Sequence, residues 1–551
     1  MRKYLFSSLL LFFAYFASFS QEKGQLSGNF QLDAQIYNED TIIGATVPPA
    51  KMGINSYANF TYTYGNFSAG LRYEAYLPQM NGFMPQYEGT GIPYKYLNYK
   101  ADQLEITVGN FYEQFGAGLT LRTYEEKNLG YDNALEGARV RYNAYKGIYL
   151  TVLAGSERSF WEYKGKVRGL NADVNLNELL KPLETSKTLI QLGTSFVSKF
   201  QADKNSNWKL PENVLNQAYR ISVGRGKVQF SAEYAYKIND PSSDNGNIYK
   251  PGEALFVNAS YSQKGLGVLL TAKRVDNMSF RADRTANLAN LSINYLPDIT
   301  KNHTYALAAM YPYATQLNGE AGVNTEITKK FDKNTLLGGK YGTSLSISFS
   351  RITNIIKEQV SESIAIDSAY SMGYSSSMSN YIDELLNEDI FYQDLHIELS
   401  KKLSDKLKGQ VSYQHIKYND AVIMGSNSGL HEPIEADVVI TDMTYKFKAK
   451  KSIRLELQHL STEQDYKNWA MALVELTVPN WFFTVLDQYN YSNPNEDKQV
   501  HYPKIAMGYI KGANRIELGY GKQRRGIVCV GGICRAVPAS NGLTLSVVSS
   551  F

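Results

Sequence analysis

Residues 66–77 read NFSAGLRYEAYL, and their apolar and polar members take turns. Phe67, Ala69, Leu71, Tyr73, Ala75 and Leu77 fall on one parity, and Ser68, Gly70, Arg72, Glu74 and Tyr76 fall on the other. A period of two sends alternate side chains to opposite faces of a β-strand. One face is therefore rich in large apolar groups and the other carries full charges. The fold turns on which medium meets each face.

The alternation recurs along the chain. In SIRLELQHL (452–460), Ile453, Leu455 and Leu457 oppose Arg454, Glu456 and Gln458; in ANRIELGY (513–520), Ile516, Leu518 and Tyr520 oppose Arg515 and Glu517. Leu104 to Gly109 places Glu105 on the polar side, and Ala138 to Ala144 places Arg139 and Arg141 there. A soluble sandwich also alternates, but it needs polar outer faces on both sheets, and this chain is long for one such domain. A barrel in lipid gives the charged parity an aqueous interior instead. Arg72, Glu74, Glu105, Arg139, Arg141, Arg454, Glu456, Arg515 and Glu517 are thus the candidate lumen-facing charges.

Composition agrees with many short strands: 42 Tyr and 42 Gly against 16 Pro and 2 Cys. Beyond the first residues no segment approaches the about 20 apolar residues of a membrane helix. At the start, Arg2 and Lys3 precede YLFSSLLLFFAYFASFS, and Ser18 and Ser20 frame a cleavage before Gln21. Residues 1–20 therefore read as a signal peptide, with no following Cys to take a lipid. Losing Arg2 and Lys3 lowers the formal net charge from +4 to +2, so no basic surplus points to nucleic acid.

Short connections such as YGN, KADQ, YKG, GRG, SQKG, LPDITKN (296–302), KAKK and YIKGAN alternate with longer polar loops such as 239–252, 352–390 and 492–503. The expectation is an all-β, antiparallel, up-and-down transmembrane barrel over 21–551, of about 26 strands in a range of roughly 22–26, with short periplasmic turns and longer extracellular loops. The final stretch, NGLTLSVVSSF (541–551), belongs to that pattern: Leu543, Leu545, Val547 and Phe551 face lipid while Thr544, Ser546 and Val548 face inward. It should close the cylinder against QLSGNFQLDAQIY (25–37), leaving no unpaired edge in hydrocarbon. Because strand pattern follows directly on the leader, an N-terminal plug domain of the energy-coupled kind is not expected.

Candidate chemistry is sparse. Cys529 and Cys534 flank VGGI, whose glycines suit a tight hairpin turn, so an exported protein should bond them. Two thiols do not complete a zinc site. His303, His396, His415, His431, His459 and His501 are scattered, without paired metal spacing. No nucleophile stands beside a base, so no catalytic residue, metal, cofactor or enzymatic activity is assigned. Asp240, Asp244 and Asn247 depart from the calcium-loop spacing and read as a solvated loop.

Residues 104–143 hold a Gly-rich, charged excursion between two strands. This segment resembles one in porin-like barrels, including alginate-exporter relatives, where the excursion folds inward. The resemblance implies that 111–135 narrows the lumen, with Glu113, Arg122, Glu125, Glu126 and Lys127 near a constriction. Through GNFYEQFGAGLTLRTYEEKNLG (109–130) and CVGGICRAVPASNGLTLSVVSSF (529–551), the whole chain resembles a family of Bacteroidota outer-membrane barrels. That resemblance implies fold and a Gram-negative outer-membrane location, and transfers no activity. Phe551 resembles the C-terminal signal read by the barrel-insertion machinery.

Two functions follow as expectations. The first is a porin-like passive channel with a loop-constricted lumen. The second is a structural or accessory barrel of an outer-membrane assembly or secretion complex, in contact with other outer-membrane proteins.

Overall fold

A computed structural model describes residues 24–205, 207–286, 290–425, 432–530 and 533–551. The signal-peptide reading of 1–20, His431 and the Gly531-Gly532 turn lie outside the described residues.

Strands run from Gln25–Tyr37 to Ser540–Ser550, and 24 of them form one antiparallel sheet in which each pairs with its neighbour in sequence. The last pairs with the first, from Asn29 opposite Ser550 to Tyr37 opposite Gly542, so the sheet is a closed cylinder. Closure satisfies the backbone groups that an edge would leave open. At one end the connections are mostly short, including 65–66, 146–147, 226–227, 264–265, 449–450 and 512–513. At the other end lie 112–134, 238–251, 277–319 and 354–389. Among the described residues no helix is long and apolar enough to cross a membrane.

The cylinder has 24 strands, within the expected range of roughly 22–26 and two below the figure of about 26, and that pair has a definite origin. LPDITKN (296–302) is not a turn between two wall strands; it lies within the long connection 277–319. That connection does alternate, and it makes a short β-like pairing of its own, bridged at Arg281 and Ser292. Its apolar side chains Met278, Phe280, Leu291 and Ile293 are buried within the cylinder instead of facing outward.

The two parities of the wall meet different surroundings. Leu71, Leu97, Val152, Val485 and Ile505 are exposed on the outside. Glu74, Ser195, Asn216, Ser350 and Gln414 are buried on the inside. The interior toward the long-loop end is largely packed because two long connections fold into it. Phe115 and Leu121 of 112–134 join Phe280, Leu291 and Ile293 of 277–319 against Val167, Val197 and Val214 of the wall. Further along, Leu307, Tyr311 and Tyr313 pack on Ile416, Val438, Ile440, Leu460 and Trp469. The two connections are stitched to each other, with Arg122 N donating to Ile293 O and Tyr295 N to Gly118 O, both at 2.9 Å. Gly116 is required where 112–134 meets the wall: its φ is +54°, and a Cβ would sit 2.2 Å from the Glu233 carboxylate. That carboxylate accepts from Ala117 N at 2.6 Å. We call the two connections together the plug.

Candidate functional site: the plug and its wall contacts

The period-two pattern puts Arg72 and Glu74 two residues apart on the strand Phe67–Tyr76, so both side chains enter the interior. They are 2.7 Å apart. Arg158, from the strand Ile148–Ser159, donates to Glu74 at 2.7 Å and to Asp132 of the plug at 2.5 Å. Arg72 also pairs with Asp132 and, at 2.8 Å, with Glu125. The Tyr112 hydroxyl donates to Asp132 at 3.0 Å. Burial pushes the Asp132 carboxyl up, but Arg158 and Arg72 outweigh it and hold the group below the usual carboxylate range. For Glu125 burial prevails over Arg72, and its carboxyl is raised.

Ligand atoms of Glu74, Glu125 and Asp132 lie within 4.8 Å of one another, a spacing that would suit a cation. Two guanidiniums already occupy their lone pairs, which makes this a buried ion-pair network rather than a metal centre. A second network joins Glu105 to Arg139 at 2.8 Å, Arg139 to Glu113 at 3.3 Å and Arg141 to Glu113 at 2.8 Å. Glu113, Glu125 and Asp132 thus tie the 112–134 connection to the wall.

The remaining sequence candidates are distributed differently. Arg122 stacks on Tyr124 and Tyr295, 4.4 and 3.9 Å from the ring centres. Lys127 lies over the Tyr57 ring at 4.9 Å, and Glu126 accepts from Asn128 N in a short 3-10 turn. Arg454 pairs with Asp442 at 2.7 Å and with Glu456. Arg515 and Glu517 pair at 2.5 Å while remaining open to solvent. Cys529 and Cys534 face each other across the hairpin Gly526–Val530 and Ile533–Val537 and are bonded. Phe551 pairs its backbone with Gly28, and its exposed ring lies 6.1 Å from Phe60.

Several groups that the sequence hid are deeper still. Asp240, read as solvated, is buried between Lys199 at 2.5 Å and Arg284 at 3.1 Å. Asp244 pairs with Arg281 at 2.5 Å, and Asn247 O accepts from Tyr370 N, so that loop is tied down rather than solvated. Lys273 meets Glu320 at 2.5 Å, and Arg274 meets Glu384 of the 354–389 connection at 2.7 Å. His303 contacts Asp394 at 2.6 Å, and Lys301 contacts His396 at 2.8 Å. Lys199 lies near the end of a strand and Lys273 within one, and that placement was the available signal; the partner of Lys199 comes from the loop 238–251, and that of Lys273 is the first residue of the neighbouring strand Glu320–Phe331.

A family described as Family of unknown function (DUF6029) matches over residues 1–551. The chain belongs to that family. No curated protein matches. Among solved structures, the DUF6029 chain is similar to the siderophore receptor PirA from Pseudomonas aeruginosa, at 11% identity over 97% of this chain and 81% of that chain, with a TM-score of 0.39. It is also similar to OpdQ from Pseudomonas aeruginosa, at 10% identity over 84% of this chain and 98% of that chain, with a TM-score of 0.32. A BenF-like porin from Pseudomonas fluorescens aligns at 9% identity over 83% and 98% of the two chains, with a TM-score of 0.32. All three are distant.

The DUF6029 plug does not reach the wall everywhere. A cavity of about 410 Å³ separates its stretch 298–313 from Leu486, Tyr502, Lys504 and Arg524, under the disulfide hairpin. Toward the short-turn end, that side of the wall carries small or polar inward groups such as Thr484, Ala506, Gly508, Thr544 and Ser546.

Proposed function

We propose that this DUF6029 chain is an integral outer-membrane barrel of a Gram-negative bacterium and acts as a porin-like passive channel. Its plug, 112–134 with 277–319, constricts the lumen, and solute passes between the plug and the strands from Trp481 to Ser550. The observation that carries the reading is the cavity of about 410 Å³ between the plug and that side of the wall. The outward parity supports the lipid-facing part, because large exposed apolar side chains on a closed cylinder need a non-aqueous medium. In this reading the short turns face the periplasm, and Phe551 serves the insertion machinery. No catalytic step is proposed.

Planar-bilayer recording of the purified protein tests it. Small, stable conductance steps are expected, and excision of 300–312 should enlarge them. A silent membrane containing correctly folded protein overturns the channel.

One observation favours the second reading, an accessory barrel in an outer-membrane complex. Arg72, Glu74, Arg158 and Asp132 bond to one another in the interior and fill space rather than line a path. Under that reading mild detergent extraction recovers the chain with other outer-membrane proteins, and the bilayer stays silent.

A further inference from the structure

We infer that the short-turn mouth of the barrel, beneath the strands from Glu320 to Lys448, is a binding site for a phosphate-bearing anion. The side chains of Lys330, Lys402, Lys408 and Lys446 share parity with the buried Asn324, Asp394, Gln414 and Val438 of their own strands, so they point into the mouth. All four are exposed to solvent there. Together with Lys401 and Lys406 they line a cavity of about 680 Å³ in which, among the described residues, Asp405 supplies the one carboxylate. Asp405 is committed to Lys402, at 3.3 Å.

The register makes the charge density unusual. Lys402 lies directly opposite Lys408, and Lys408 lies opposite Thr444, two residues from Lys446. Like charges directly opposite on neighbouring strands destabilise a sheet. Among the described residues, Lys330, Lys408 and Lys446 make no ion pair. A concave site lined by one sign of charge focuses its field and concentrates counter-ions. The arrangement is relieved when an anion enters.

The donor chemistry selects the class. Lysine offers a compact charge with three rotatable donors, which binds phosphate oxygens as a point charge, and several such charges around one concave site match the multiple negative charge of a phosphate better than the single charge of a carboxylate. Among the described residues no arginine lines this cavity; Arg454, opposite the lining residue Thr444, is already bonded to Asp442 and Glu456. Hydroxyls of Ser344, Ser400 and Thr444 and of Tyr341 supply neutral donors between the lysines. A soluble phosphorylated solute and an anionic phospholipid headgroup present the same chemistry. The inference rests on the barrel reading only in that the mouth is open to water; it does not need conduction.

Calorimetric titration of the full chain in neutral micelles with pyrophosphate tests it, so a closed channel does not affect the outcome. Saturable binding that weakens with salt is expected. A variant carrying Lys330→Gln, Lys402→Gln, Lys408→Gln and Lys446→Gln should bind at least about tenfold more weakly. The four corresponding Lys→Arg changes should retain binding, which separates lost charge from lost fold, as does heat-shifted gel mobility. Gln at Lys187, Lys227, Lys264 and Lys511, exposed lysines at other short turns, should leave binding intact. Doping the micelles with phosphatidylglycerol assigns the source: displacement of pyrophosphate marks a lipid headgroup, and undisturbed binding marks a free solute. Absence of saturable binding, or equal binding by the mouth variant, overturns the inference.

Discussion

Two levels of the same interior treat charge in opposite ways. At the plug, Arg72, Arg139, Arg158, Lys199 and Arg274 each meet a carboxylate within hydrogen-bonding reach. At the short-turn mouth, Lys330, Lys408 and Lys446 stand exposed around one cavity. The difference is water. A desolvated charge must be paired and hydrogen-bonded, whereas an exposed one is solvated and screened. The plug's charges therefore hold structure, and the mouth's remain free to take a ligand.

The comparison breaks most visibly at Arg158. Its guanidinium joins Glu74 and Asp132 in a fully buried setting, so Arg158→Ala leaves these two buried carboxylates to share the single guanidinium of Arg72. Removing one partner of such a network costs about 3–5 kcal/mol. The urea midpoint for unfolding from vesicles should fall accordingly; an unchanged midpoint would remove the network's structural role.

Leu307 probes the apolar attachment of the plug. It is fully buried among Tyr392, Ile416 and Leu460, and its N–H donates to Gln458 Oε1 at 2.8 Å. Leu307→Ala should cost about 2–5 kcal/mol, with the lower end expected where the plug can settle. The loss is local, so protease sensitivity within 297–319 should rise before the wall melts. If the channel reading holds, conductance noise rises with it.

Acid acts on the same attachment in two directions. Glu125 has a folded carboxyl raised above its ordinary 4.5, so acidification toward that value favours the folded plug. Asp132 lies below its ordinary 3.8, so its stabilisation is complete above that pH and is lost as pH falls further through the folded value. Stability against pH should show a shallow rise and then a steeper fall on the acid side. Asp132→Asn should abolish the fall, and a fall that persists would assign it to other carboxylates.

The wall was legible because lipid and water impose a strict period of two on each strand, as at 66–77 and 513–520. The inward placement of Arg72 and Glu74 followed from that parity alone. What parity could not supply was the third partner: Arg158 is 84 residues from Glu74, and Asp132 comes from a loop. The plug misled for a physical reason. Met278, Phe280 and Ala282 alternate with polar residues just as a wall strand does, because they too form a β-like pairing with one apolar side. Alternation reports a two-sided strand, and it does not say whether the apolar side meets lipid or protein. The hydrophilic composition of 238–251 misled in the opposite sense, since its acids are neutralised by buried bases rather than by solvent.

The smallest expected effect has the opposite sign to the others and is the sharpest test of the comparison. Lys408 faces Lys402 across the sheet and, among the described residues, has no carboxylate of its own, so neutralising it removes a repulsion and strands no partner. Lys408→Gln should therefore raise the unfolding midpoint slightly at low salt, by a fraction of a kcal/mol. Exposed charges are screened over about 8–10 Å at physiological salt, so the gain should shrink there. Added pyrophosphate should reverse the order, stabilising the unaltered chain more than the variant, because only the former keeps the full set of donors. A destabilised Lys408→Gln at low salt would mean that the mouth lysines, like the plug arginines, are held by partners within the fold, and the contrast between the two levels would be gone.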